Sequence, residues 1–165
     1  MLDAQDALDR LRAGNQRFVS DVRANEMHST TARRLELASG QEPFAIILGC
    51  SDSRVPAEIV FDQGLGDLFV IRVAGNIVND DILGSMEFAC RAAGAKLIAV
   101  IGHSKCGAVK GACGGAELGH LTGLLGRIQP AVAAVPAVAD RGRFAGCGGA
   151  SAKCRVGRSL ARGRY

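Results

Sequence analysis

Two apolar runs, each ending in a glycine followed by metal-binding side chains, constrain this chain more than any other feature. The first is Phe44-Ala-Ile-Ile-Leu-Gly-Cys-Ser-Asp-Ser-Arg54. The second, about fifty residues on, is Lys96-Leu-Ile-Ala-Val-Ile-Gly-His-Ser-Lys-Cys106. Neither run alternates polar and apolar residues, so each reads as a strand covered on both faces, as in a parallel sheet between helices. Cys50, His103 and Cys106 then lie just past the carboxyl ends of two such strands. Thiolate and imidazole are the ligands that zinc prefers, and the pattern suggests one zinc site at that edge of the sheet.

The intervening sequence supplies the rest of an α/β fold. Residues 3–19 read as a helix, with Asp3 as N-cap and Leu8, Leu11, Asn15 and Phe18 near one face. The stripe is thin, which places this helix on a surface, its own or a partner's. A helical turn is expected near Thr31–Leu37, and Gly40 and Pro43 punctuate the entry to the first strand, Phe44–Leu48. Pro56–Phe61 suits a short helix with proline in its first turn. Gly64 and Gly66 lead into a second strand, Asp67–Val73. Asp80 or Asp81 caps a helix through Ala93, with Ile82, Met86, Phe88 and Ala89 as its apolar contacts. Lys96–Ile101 is the third strand and Lys105–Cys113 begins another helix. Leu121, Leu124, Leu125 and Ile128 stand at helical spacing within Leu118–Val138. The order β-α-β-α-β predicts a parallel sheet core flanked by helices, with ligands bound outside the carboxyl ends of the strands.

The candidate site carries a chemistry. His-x-x-Cys lets His103 and Cys106 face one point within a single turn, and Cys-x-Asp does the same for Cys50 and Asp52 past a strand end. Asp52 is a fourth ligand, or leaves that position to water. Two thiolates cancel the charge of a zinc ion, so a bound water is acidified less than at a site of three neutral histidines. Asp52, held as a carboxylate by Arg54, can then orient that water as zinc-bound hydroxide for attack on a small electrophile. Taken singly, Cys50 is a core thiol, His103 a loop histidine and Asp52–Arg54 a structural ion pair. Their convergence on two strand ends favours the metal. The sequence after Cys50 is too short for a thiol-phosphatase loop, Gly102–Gly107 lacks the ending of a phosphate-binding loop, and no Gly-x-Ser-x-Gly elbow is present. His28 and His120 read as exposed polar residues.

Charge separates the carboxyl-terminal region from the rest. Of the formal +4, residues 140–165 contribute +6, leaving −2 for the remainder. The basic character belongs to this Gly/Arg-rich stretch, so the domain at 1–139 does not read as a nucleic-acid binder. The stretch at 140–165 lacks apolar periodicity and is expected to be poorly ordered, with Cys147 and Cys154 as two free thiols. No apolar run reaches membrane-spanning length, and the amino terminus lacks the basic and apolar regions of a secretory signal. A cytoplasmic protein with reduced thiols and no membrane partner is expected.

Cys50-Ser-Asp-Ser-Arg-Val-Pro56, Arg72-Val-Ala-Gly-Asn76 and Gly102-His-Ser-Lys-Cys-Gly107 together resemble the three signatures of the β-class carbonic anhydrases, in order and at similar separation. Leu11-Arg-Ala-Gly-Asn-Gln-Arg-Phe18 is similar to that family's first helix. The resemblance covers roughly residues 3–138. It implies reversible hydration of carbon dioxide to bicarbonate and a proton, with one zinc ion per chain on Cys50, His103 and Cys106. It makes Asp52 the residue that either ligates zinc or pairs with Arg54. It makes Gln41 a residue lining the substrate pocket across a dimer interface, Phe69 and Ala74 pocket walls, and Gly75 a backbone contact to substrate. It implies a homodimer or a larger homo-oligomer. Family members usually continue past the equivalent of Val138 with further helices and a strand. The Gly/Arg stretch in that place predicts a truncated or altered carboxyl-terminal end and an open sheet edge beside the third strand. The alternative is then a zinc-binding protein of the same fold with impaired catalysis.

Overall fold

The computed structural model describes residues 2–23 and 30–135. Its sheet has three parallel strands in the order β2-β1-β3: β1 is Ala45–Gly49, β2 Leu68–Arg72 and β3 Ile98–Val100. Ile46, Ile47 and Leu48 of β1 have no exposed surface, and burial of each contributes about 1.5–3 kcal/mol. Their side chains alternate between two layers. Ala45 and Ile47 pack with Ala7, Leu11, Ala57 and Phe61, from helices α1 (Ala4–Val19) and α3 (Ala57–Val60) and the residue after α3. Ile46 and Leu48 pack with Ile82, Met86 and Ala89 of α4 (Asp80–Arg91). The uninterrupted run of β1 therefore means what it predicted, a strand with helices on both faces; the second run does not, because β3 is a short edge strand whose Ile98 is 38% exposed.

The connection through α3 leaves β1 for β2 on one side, and α4 then carries the chain across to β3 on the other. The carboxyl ends of β1 and β3 thus flank a topological switch point, where a crevice opens in such sheets. Cys50 follows β1 there and His103 follows β3. Beyond the switch point, α5 (Gly107–Cys113), α6 (Gly119–Gly126) and α7 (Gln129–Ala133) gather a third apolar cluster, in which Ile77, Val109, Leu125 and Ile128 surround Cys50 and Cys106.

Several local expectations need correction. The α4 N-cap is Asn79, whose side chain accepts from the Ile82 N–H at 2.9 Å; Asp80 and Asp81 occupy the first turn instead. Phe88 points outward and is 55% exposed, so it is not one of the core contacts of α4. On α1 the buried face is Ala7, Leu11, Gly14 and Asn15, with Leu8 and Phe18 only half-buried at its flanks. A Cβ on Gly14 would lie 1.7 Å from the Phe61 carbonyl oxygen, so close backbone approach sets this face, which size-weighted patterning overlooks. The helical pattern from Leu118 breaks into α6 and α7 at Arg127–Ile128. The Thr31–Leu37 turn is found as α2 (Thr31–Glu36), capped by Thr30. His28, residues 136–138, and the 140–165 stretch with Cys147 and Cys154 lie outside the described residues. Among the described residues no helix is long and apolar enough to cross a membrane.

Candidate metal centre

Each candidate ligand is delivered by the end of a regular element. The parallel ladder fixes β1 up to Gly49, whose carbonyl accepts from the Val73 N–H at 3.1 Å, and Cys50 is the next residue. On the other side, the Ile101 N–H donates to the Leu48 carbonyl at 2.9 Å, two residues before His103. Lys105 adopts a left-handed backbone, φ 56°, which turns the chain so that Cys106 heads α5. The three ligand atoms, from Cys50, His103 and Cys106, lie within 4.8 Å of one another.

The geometry of this triangle fits a soft divalent ion. The two sulfurs are 3.9 Å apart. Tetrahedral zinc with Zn–S bonds of about 2.3 Å would hold them about 3.8 Å apart. His103 Nδ1 is 2.9 Å from the Ser104 carbonyl, and an N–H donated to that oxygen leaves the Nε2 lone pair free. Nε2 is buried and has no hydrogen-bond partner. A buried imidazole nitrogen without a partner is costly, and a metal bond would satisfy it. Both cysteines are buried, and the Cys50 sulfur also accepts the Gly75 N–H at 3.3 Å.

Electrostatics favour a thiolate at Cys50. The hydrogen bond from Cys106 is the largest influence pulling its thiol down, joined by the Gly75 N–H, against the opposing cost of burial. Cys106 is pushed up in turn, by keeping the shared proton, by burial and by the charge on Cys50. The pair thus holds one proton between two sulfurs, and a bound cation would displace it.

Asp52 stands outside the triangle. Its carboxylate is forked by Arg54, with Nε at 2.8 Å from Oδ1 and Nη2 at 2.7 Å from Oδ2, and it accepts the Arg54 backbone N–H at 3.0 Å. These bonds hold Asp52 well below the usual carboxylate range and raise Arg54. Oδ2 is nevertheless only 3.9 Å from His103 Nε2, so the carboxylate borders the ligand position without filling it. Arg54 Nη2 also reaches the Lys105 carbonyl at 3.3 Å and links the two strand-end loops.

The remaining predicted site residues divide. Ala74 and Gly75 lie in the tight turn Ala74–Asn76 after β2, directly beside Cys50. Gly75 has φ 72°, and a Cβ there would sit 2.6 Å from Ile128 Cδ1 and 3.2 Å from the Ala108 Cβ, so the position requires glycine. Gln41 is exposed before β1, at the opposite end of the strand from Cys50, and five strand residues alone separate the two by roughly 16 Å. Phe69, on the edge strand β2, pairs with Ile46 near the amino-terminal end of the ladder and packs towards α4, its ring 6.1 Å from that of Phe88. The fold therefore does not bring Gln41 or Phe69 to the ligand triangle of their own chain. Two contributors had no role assigned from sequence: the Gly75 N–H as a donor to sulfur, and Arg72, which donates to the Cys50 and Asp52 carbonyls.

A family model described as carbonic anhydrase matches residues 45–160. The chain belongs to the β-class carbonic anhydrase family. The match runs past residue 138, the end of the resemblance read from the sequence. Carbonic anhydrase 2 of Mycobacterium tuberculosis is 45% identical over 127 residues, which are 74% of this chain and 61% of that protein. The chain thus spans about three-fifths of that relative's length. The β-carbonic anhydrase CafA of Aspergillus fumigatus superimposes with a TM-score of 0.57 at 34% identity, over 59% of this chain and 49% of that one. A tetrameric β-carbonic anhydrase of Sordaria macrospora does so with a TM-score of 0.59 at 30% identity, over 70% and 64%. The α/β sheet described above is the fold that this carbonic anhydrase family shares.

Proposed function

We propose that this chain binds one zinc ion through Cys50 Sγ, His103 Nε2 and Cys106 Sγ and catalyses the reversible hydration of carbon dioxide to bicarbonate and a proton. The observation that carries the reading is the buried, unpartnered Nε2 of His103 beside two sulfurs at the spacing of a tetrahedral ion. Zinc at that point supplies a Lewis acid that makes water nucleophilic near neutral pH. The chain's own residues do the rest. Arg54 keeps Asp52 an acceptor-only carboxylate, and Oδ2 accepts a hydrogen bond from the reacting water, turning its lone pair towards carbon dioxide. The Gly75 N–H and the apolar cluster of Ile77, Val109, Leu125 and Ile128 hold Cys50 in a setting that excludes bulk solvent.

Ala74 and Gly75 border the substrate on this side. Gln41 and Phe69 reach it only from a second copy, so a homodimer or larger homo-oligomer belongs to the proposal; the tetrameric Sordaria macrospora relative supports it. The cytoplasm is the proposed location, where reduced thiols are available as ligands. The test is zinc content of the purified chain together with stopped-flow carbon dioxide hydration. Cys106→Ala should lose both metal and activity. Asp52→Ala should keep the metal and lose roughly 10²-fold in kcat, the usual scale for a positioned proton acceptor. A zinc-loaded protein inactive from neutral to alkaline pH would leave only the impaired zinc-binding alternative.

A further inference from the structure

The ladder that positions Cys50 ends one residue before it. Val73 N–H to the Gly49 carbonyl is the last backbone bond from β2, and Ile101 N–H to the Leu48 carbonyl is the last from β3. The loop that carries Cys50 and Asp52 then runs over an exposed edge, with Ser51 in solvent. One side chain continues the ladder past its end. Arg72, the last residue of β2 and paired in register with Gly49, donates Nε to the Cys50 carbonyl at 3.0 Å and Nη2 to the Asp52 carbonyl at 2.6 Å. The Asp52 carbonyl also accepts the Val55 N–H at 3.1 Å, so both of its lone pairs are used. A planar guanidinium can bridge two carbonyls at a fixed separation, whereas a lysine ammonium reaches them only as a point donor.

This fork has a consequence for the site because Asp52 is poised between two partners. Its carboxylate is held by Arg54, yet Oδ2 lies 3.9 Å from His103 Nε2. A modest movement of the Cys50–Asp52 backbone would bring that oxygen into the ligand position, where it would exclude water. We infer that Arg72 is a positioning residue of the metal centre: by clamping the Cys50 and Asp52 carbonyls it keeps the Asp52 carboxylate on Arg54 and out of the fourth ligand position. The inference rests on the metal-centre reading above and assigns Arg72 no contact with substrate.

The experiment replaces zinc by cobalt(II) in the purified full chain and records its visible ligand-field spectrum alongside hydration kinetics. Arg72→Lys and Arg72→Gln are compared with the parent, and each is repeated in an Asp52→Asn background. Arg72 is exposed, so both variants should fold, which a thermal melt checks. The expected result is a changed cobalt spectrum in both single variants, as a carboxylate oxygen replaces water, with kcat down by roughly tenfold or more. In the Asp52→Asn background, Arg72→Lys should leave the spectrum where Asp52→Asn alone puts it. A spectrum unmoved by either Arg72 substitution overturns the inference while leaving the metal centre intact. An equal spectral change with and without Asp52 also overturns it, because Arg72 would then act on the metal site by a route other than Asp52. A parent chain that binds no cobalt overturns both readings.

Discussion

Adding one methyl group at Gly75 tests how tightly the fold and the ligand set are coupled. Gly75 sits at φ 72°, ψ 14°, a left-handed conformation that costs a residue with a Cβ about 1–2 kcal/mol. The new carbon would lie 2.6 Å from Ile128 Cδ1 and 3.2 Å from the Ala108 Cβ. The Ile128 tip can rotate away, but it is buried among Leu125, Val109 and Cys106, so leaving its rotamer costs about 1 kcal/mol more. Alanine recovers about 0.4–1 kcal/mol by restricting the unfolded chain. The net loss for Gly75→Ala is about 2 kcal/mol, read as a lower urea midpoint of the metal-free protein. The same shift pulls the Gly75 N–H from the Cys50 sulfur, now 3.3 Å away. Hydrogen bonds to charged groups contribute about 1.5–3 kcal/mol, so zinc affinity should fall by roughly tenfold or more in a competitive chelator titration. A variant with an unchanged urea midpoint and zinc affinity within a factor of two would refute this coupling.

Two other outcomes follow from packing and from the shared proton. Gly14→Ala places a Cβ 1.7 Å from a backbone oxygen that cannot rotate away, so α1 must retreat from the sheet and uncover Ala7 and Leu11. A loss of roughly 3 kcal/mol is expected, a drop in Tm of roughly 6–12 °C by differential scanning calorimetry, and a melt within 2 °C of the parent would contradict it. Metal binding displaces the proton held between Cys50 and Cys106, so affinity should weaken as pH falls and the calorimetric binding enthalpy should vary with the ionisation enthalpy of the buffer. A binding enthalpy indifferent to buffer would mean that no proton leaves.

The parts of this molecule that sequence makes legible are those where one residue type admits one environment. A run such as Ala45–Leu48 has no polar residue to offer solvent, so it had to be covered on both faces, and its carboxyl end had to carry the site. Soft ligands at two such ends left little choice of chemistry. Legibility fails where several residues can serve one role. Asn79, Asp80 and Asp81 all cap helices; only the extended backbone at Asn79, φ −143° and ψ 180°, selects it. The docking face of α1 was displaced because Ala7 and Gly14 permit close approach without adding to an apolar stripe. The α6–α7 break follows from the turn at Arg127–Ile128, which periodicity does not register. Arg72 stands in the second signature, but its role was illegible for a similar reason. Its partners are main-chain carbonyls, which every residue possesses, so nothing in the sequence marks them. Gln41 and Phe69 gained their roles from family resemblance alone, and within a single chain the fold keeps them away from Cys50.

The chemistry proposed for this chain depends on two sulfurs and one imidazole nitrogen converging on one ion. Zinc-edge X-ray absorption on the purified chain, with metal quantified against protein, tests it most directly. One zinc per chain is expected, with two sulfurs at about 2.3 Å and a lighter nitrogen or oxygen contribution at about 2.0–2.1 Å. A chain that retains no zinc, or a shell of nitrogen and oxygen without sulfur, would contradict it.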